Sequence, residues 1–149
     1  MNFSKTTEYA FRILSLMAMD EHKLYTAKDV FQSSEIPFRY LRKLLIILSK
    51  SELIESVQGK NGGYRISKKP SDISLLDIIR VVGDDPINND CFFGFDNCTF
   101  IEKCALHEKW AVVRETLNNV LLTTTLEDIK SNRQHSFISN IDSLFTKNV

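Results

Sequence analysis

The chain is poor in the residues that bend or staple a fold. Among 149 residues there are only three prolines and five glycines, which excludes collagen-like and low-complexity architectures. Its three cysteines are an odd number and cannot all pair, so a disulfide-dense scaffold is also excluded. No apolar run approaches the roughly 18 residues of a membrane span. The first apolar stretch, Tyr9 to Met19, is interrupted by Arg12 and preceded by Glu8. It lacks the basic start and small-residue cleavage site of a signal peptide. A cytoplasmic protein without membrane contact is the expectation. What remains is an ordinary globular composition, 43% hydrophobic and 26% charged. A chain of this length buries about 68–70% of its unfolded surface without staples.

A net charge of zero, from 19 basic and 19 acidic residues, conceals a strong asymmetry. Between Pro37 and Lys69, eight basic residues face two acidic ones, an excess of +6. Between Ser71 and Lys130, eleven acidic residues face five basic ones, an excess of −6. A local field of this kind attracts a polyanion that the whole-chain sum would not reveal.

The periodicity predicts a mostly α chain with a small β-hairpin. Ala10, Phe11, Ile13, Leu14, Met17 and Ala18 recur at helical spacing across Ser4–Met19. Thr26 with Asp29 resembles a capping box and starts a short helix over Ala27–Ser33. After a turn at 34–36, Pro37 suits the first position of a second helix, running to about Ser49, with Leu41, Leu44, Leu45 and Leu48 on one stripe. Arg39, Tyr40, Arg42 and Lys43 largely escape that stripe. Two β-prone runs, Leu53–Val57 and Tyr64–Ile66, flank the Gly-rich segment from Gln58 to Gly63, a hairpin signature. Ser74 caps a further helix that stops at Gly83. Asp84–Lys103 has neither period, and a loop of about 20 residues inside a small protein is usually functional or disordered. From Cys104 to about Leu122, Leu106, Trp110, Val113, Leu117, Val120 and Leu121 form a long apolar stripe suited to burial against a second copy. Thr125 with Asp128 starts one more capped helix, and the tail from Ser131 is expected to be loosely held.

Helix, turn, basic helix and basic hairpin is the order of a winged helix-turn-helix. A helix fits the major groove and reads base edges from its N-terminal half. The expected DNA-facing residues are Thr26 and Lys28 on the first short helix, and Pro37, Arg39, Tyr40, Arg42 and Lys43 on the second. The wing contributes Lys60, Asn61, Gly62, Gly63 and Arg65, its glycines letting backbone approach the duplex. Arg39 and Arg42 are the candidate guanine readers and Lys60 a phosphate contact. The bland alternative is a solvated basic face.

Cys91, Cys98 and Cys104 lie together in or at the end of the long loop. Clustered reduced thiols point to a metal or redox site, although the spacing is looser than structural zinc sites use. Three thiolates leave a four-coordinate centre one ligand short. His107, three residues after Cys104, is the nearest fourth candidate, and otherwise a packing histidine. Phe92, Phe93, Phe95 and Phe100 would either shield a cofactor or dock the loop. An enzyme with a cysteine nucleophile is disfavoured, because no triad orienter or phosphate loop accompanies the thiols.

Phe-Ser-Lys-Thr-Thr-Glu-Tyr-Ala at 3–10, Ile-Pro-Phe-Arg-Tyr-Leu-Arg-Lys-Leu-Leu at 36–45 and Gly-Lys-Asn-Gly-Gly-Tyr-Arg-Ile at 59–66, followed by the three-cysteine loop, resemble the Rrf-type winged-helix transcription regulators. The resemblance covers roughly residues 1–130. It implies a winged helix-turn-helix domain over 1–83, a cluster-binding loop over 84–104, a dimerisation helix and following segment over 105–130, and a tail over 131–149. It further implies a homodimer on double-stranded operator DNA, controlled by an iron–sulfur cluster, 2Fe-2S or 4Fe-4S, on Cys91, Cys98 and Cys104. The signal would be redox state, nitric oxide or iron–sulfur status. The family's fourth ligand is either a histidine at the position of His107 or an acidic residue in the first helix of the other subunit, at the position of Glu8. Both stay open. If Glu8 is not a ligand, it is a surface partner for Arg12 at i+4. The competing reading is a cluster-free thiol- or zinc-responsive regulator of the same fold.

Overall fold

The computed structural model describes residues 3–84, 91–95 and 104–132. The element order is α1 (Lys5–Met19), α2 (Ala27–Ser34), α3 (Phe38–Lys50), β1 (Ile54–Val57), β2 (Gly63–Ile66), a single 3-10 turn at Pro70–Asp72, α4 (Leu75–Val81), α5 (His107–Thr123) and α6 (Leu126–Asn132). The mostly α architecture with a two-stranded antiparallel hairpin is as expected.

The main core forms where the leucine stripe of α3 meets the apolar stripe of α1. Ile13, Leu14 and Met17 of α1 are fully buried together with Leu41, Leu45 and Leu48 of α3, Val30 of α2 and Ile36 of the turn. Burying each such side chain contributes roughly 1.5–3 kcal/mol. Leu126, which opens α6, enters the same core. It is tied there by its own N–H to the Ile73 carbonyl at 3.0 Å, and Leu75 N donates to Thr124 O at 2.9 Å. A smaller cluster, Leu76, Ile79 and Leu121, with Leu117 packed against it, fastens α5 to α4.

The caps follow the sequence closely. Ser4, Thr26 and Ser74 each accept a hydrogen bond from a first-turn amide, and the latter two complete capping boxes with Asp29 and Asp77. Two boundaries move. Pro37 is the N-cap of α3 and not its first helical residue; its carbonyl accepts from Tyr40 N and Leu41 N, both at 2.9 Å. Helix α5 begins at His107, three residues later than Cys104, with Leu106 as an N-cap that offers no side-chain acceptor.

Helices α3 and α4 end in the same way. Gly83, at φ +75°, donates to Arg80 O while Asp84 N reaches back to Ile79 O at 3.1 Å. At the end of α3, Glu52, at φ +60°, donates to Ser49 O while Leu53 N reaches Leu48 O at 3.1 Å. Both are Schellman closures, which satisfy the orphan carbonyls of the last turn. Only one of them has the glycine that the left-handed position favours.

Candidate nucleic-acid interface and thiol segment

Leu41, Leu44, Leu45 and Leu48 turn one side of α3 into the core, and this leaves Arg39, Arg42 and Lys43 exposed on the other. Tyr40 is exposed too, but its hydroxyl is hydrogen-bonded to Thr6 Oγ1 of α1 and its ring meets Tyr9 edge-on. Phe38, at the start of α3, makes a similar edge contact with Phe31 of α2, with ring centroids 5.6 Å apart.

Thr26 and Lys28 are exposed at the start of α2. The Thr26 hydroxyl serves the helix itself: it accepts from Asp29 N at 3.1 Å and donates to Asp29 Oδ2 at 2.7 Å. The Thr26 hydroxyl first, and then the Thr26 amide donating to the same Oδ2 at 2.8 Å, hold the Asp29 carboxyl below its usual range.

The hairpin pairs Ile54 with Ile66 and Val57 with Gly63. Lys60 and Asn61 are exposed at its tip. Arg65 lies in the ladder opposite Glu55, and its Nε is bonded to the Glu55 carboxylate. The two glycines have an intramolecular reason beside the one the sequence suggested. A Cβ on Gly62 would come within 2.1 Å of Val57 O, and one on Gly63 within 2.8 Å of Tyr25 O. The backbone they admit is the protein's own. Tyr25 and Tyr64 exchange N–H···O bonds of 2.8 Å in both directions, so the residue before Thr26 acts as a one-residue third strand. The wing root and the start of α2 are thereby one unit.

The thiol segment is described in part. Cys98 lies outside the described residues, as do Phe100 and the tail beyond 132. Cys91 is buried and Cys104 half-buried. Phe92 meets Trp110 edge-on at 5.4 Å, which docks the first part of the loop on α5 one turn beyond His107. Cys104 reaches the same helix start, its carbonyl accepting from His107 N at 3.2 Å. Phe92 itself stays 58% exposed, and Phe93 and Phe95 are exposed at 63% and 61%. Among the described residues no three His, Cys, Asp or Glu side chains converge as metal ligands. Glu8 pairs with Lys5 at 2.6 Å and not with Arg12; Arg12 lies over the Tyr9 ring and donates to Ser34 O.

One residue escaped sequence reasoning. Asp84, at the entry to the thiol loop, accepts from Ser4 N and Thr7 Oγ1 at the start of α1. Only its place just after Gly83 hinted at a role, since a Schellman closure fixes the direction of the residue that follows it.

A family described as iron-dependent transcriptional regulators, Rrf2, matches residues 3–132. The chain belongs to the Rrf2 family. It is 32% identical over 139 residues to the HTH-type transcriptional regulator NsrR of Geobacillus kaustophilus, covering 89% of this chain and 95% of that one. It is 31% identical over 147 residues to protein aau3 of Rhizobium meliloti, covering 95% and 94%. Among solved structures it is similar to CymR, the global cysteine regulator of B. subtilis, with a TM-score of 0.74 and 26% identity over 88% of this chain and 97% of that one. It is also similar to T. potens IscR, with a TM-score of 0.69 and 25% identity over 89% and 88%. This Rrf2 chain is therefore a DNA-binding transcriptional regulator and not an enzyme. No described helix is long and apolar enough to cross a membrane.

The predicted apolar stripe of this Rrf2 protein's α5 is divided between two uses. Leu117 and Leu121 are taken up by α4 of the same chain and Trp110 by Phe92. Leu106, Val113 and Val120 are exposed, as is Val112. A shallow groove on the outer side of α5 runs along Val112, Thr116, Asn119, Val120 and Thr123. The seam imagined as a single stripe is thus two faces of one helix.

Proposed function

We propose that the chain is a homodimeric operator-binding regulator whose grip on double-stranded DNA is controlled through an iron–sulfur cluster held by Cys91, Cys98 and Cys104. The fourth ligand would be His107 or Glu8 of the partner subunit. The observation that carries the DNA part is the two-sided α3, with leucines inward and Arg39, Arg42 and Lys43 outward. A helix whose free side presents Arg39, Arg42 and Lys43 suits a phosphate-lined groove with acceptor-rich guanine edges. Lys28 at the start of α2 and Lys60 and Asn61 at the wing tip add backbone contacts. Arg65, already paired with Glu55, contributes less charge than its number in the sequence suggested.

The donor types fit the cofactor. Soft thiols, one of them buried, with an imidazole beside them, are the ligands an iron–sulfur centre takes. Bound there, a cluster would supply a centre reactive towards oxidants and nitric oxide. The chain's own residues would transmit its state. Phe92 on Trp110 and Cys104 beside His107 hold both described ends of the thiol segment to the start of α5. Asp84 ties the loop's entry to α1. The outer face of α5, with Val112, Val113 and Val120, is the surface for the second copy. Closing two winged domains at a set separation is what half-sites about one turn apart demand.

Anaerobic purification followed by visible spectroscopy and assay of iron and acid-labile sulfide tests this. Iron with sulfide, lost in Cys98→Ala together with any change in operator affinity on exposure to nitric oxide, is the expected result. The likeness to CymR favours a second reading, a cluster-free regulator responding through its thiols or through zinc. A colourless protein containing zinc without sulfide, or no metal at all, would establish that reading and overturn the first.

A further inference from the structure

Three side chains spaced three residues apart on α1, namely Thr6, Tyr9 and Arg12, reach both helices of the helix-turn-helix. Thr6 Oγ1 is hydrogen-bonded to the Tyr40 hydroxyl in the first turn of α3. The Tyr9 ring meets the Tyr40 ring at 71° with centroids 5.6 Å apart. Arg12 lies over the far end of this stack, 5.7 Å from the Tyr9 centroid, and its Nη1 donates to the carbonyl of Ser34, the last residue of α2, at 3.4 Å. Among the described residues, the two side-chain hydrogen bonds of this row run from α1 to α3 and to α2.

The physical need for such a row comes from the rest of the packing. Leu41, Leu44, Leu45 and Leu48 hold α3 against the core, but apolar burial is non-directional. It resists lifting the helix more than it resists a small rotation about the helix axis. Arg39 and Arg42 read base edges only if that rotation is correct, since bidentate contacts to guanine depend on angle as well as distance. Directional bonds are required, and they are found beside Arg39, at Tyr40.

We propose that Thr6, Tyr9 and Arg12 form a bracket that sets the pose of the recognition helix, with Tyr40 as its handle. Tyr40 is then a positioning residue and not a reader of DNA. The inference rests on the DNA-reading function proposed above for α3. It also gives α1 a second duty. Asp84 fastens to Ser4 and Thr7 in the same two turns, so the entry to the thiol segment and the recognition helix share one anchor.

The test compares wild type with Thr6→Val, Thr6→Ser, Tyr40→Phe and the double variant Thr6→Val with Tyr40→Phe. The probes are a duplex selected from a randomised library by the wild-type protein and a random-sequence duplex of equal length. Thr6→Val and Tyr40→Phe should each weaken binding to the selected duplex by about three- to tenfold, the worth of one hydrogen bond. The double variant should be no weaker than either single one. Affinity for the random duplex and the salt slope should stay as in wild type, because no phosphate contact is lost. Thr6→Ser, which keeps the hydroxyl, should behave as wild type. Without DNA, amide hydrogen exchange at Leu41 and Arg42 should quicken in Thr6→Val and Tyr40→Phe relative to the Leu44–Leu48 turn. A Tyr40→Phe loss with a silent Thr6→Val would mean that the tyrosine hydroxyl meets the DNA itself, and it overturns the bracket. Unaltered exchange at the start of α3 in both variants does the same. A wild-type protein that selects no duplex would defeat the DNA-reading function, and the exchange measurement would still judge the bracket.

Discussion

Asp84 accepts a hydrogen bond from the buried Thr7 hydroxyl at 2.7 Å, joining residues 77 positions apart in the chain. The same oxygen accepts from Ser4 N at 2.8 Å. The Thr7 hydroxyl first, and then the Ser4 amide, hold the carboxyl below the usual carboxylate range. Folding therefore favours the ionised form. Its contribution is complete above the unfolded carboxyl's value of about 3.9 and is lost as pH falls through the lower folded value. Asp84→Ala should cost about 1 kcal/mol at neutral pH. Urea titrations across the acid range should show the wild-type advantage shrinking below about pH 4. A constant gap at every pH would show that the carboxylate's charge contributes nothing.

Gly63→Ala should destabilise the wing. The new Cβ would meet Tyr25 O at 2.8 Å, and that oxygen belongs to backbone held in a two-way bridge with Tyr64. Overpacking against such a rigid neighbour costs about 1–3 kcal/mol. A thermal melt that matches wild type would mean that the Tyr25 strand can shift freely.

Glu52 offers the opposite case. It stands at φ +60° in a closure where glycine carries no Cβ penalty. Glu52→Gly should leave stability unchanged or raise it by up to about 1 kcal/mol, because relief of the left-handed strain outweighs the added freedom of the unfolded chain. Denaturation midpoints lower than wild type would contradict this.

On DNA, Arg42→Ala should cost about 1–3 kcal/mol on the selected duplex and little on random sequence. Lys60→Ala should weaken both alike and reduce the salt slope by about 1. Gel retardation at several salt concentrations separates the two. Equal losses for both variants on both duplexes would reverse the division of labour between helix and wing.

The two faces of α5 should respond differently. Val120→Glu places a charge on the outer face, which is 52% exposed at that residue. It should dissociate the proposed dimer in sedimentation while the monomer keeps its fold. Leu121→Ala empties the contact with Leu76 and Ile79 and should cost about 2 kcal/mol of stability. Sedimentation of Val120→Glu identical to wild type would remove this face from the dimer.

Much of this was legible in the chain. Thr26, Ser74 and Gly83 announce helix ends because capping chemistry is local: the donor and acceptor lie within five residues of each other. The leucines of α3 and the hairpin glycines are equally plain, since period and turn chemistry are short-range. The purpose of the glycines was not. That Gly63 makes room for Tyr25 depends on a strand 38 positions earlier. Glu52 carries no local mark, because its left-handed turn is imposed by the Leu48 and Leu53 that it joins.

By itself the sequence determined the order of helices and hairpin, the two-sided α3 and the grouping of the thiols along the chain, since each follows from neighbours in sequence. Only the tertiary structure decided which side chains those elements spend on one another. Tyr40 goes to α1, Arg65 to Glu55, Leu117 and Leu121 to α4, and Asp84 to the first turns of α1. The reason is range: a polar or apolar group takes the partner that packing brings within a few ångströms, and no periodicity in the chain encodes which distant residue that will be.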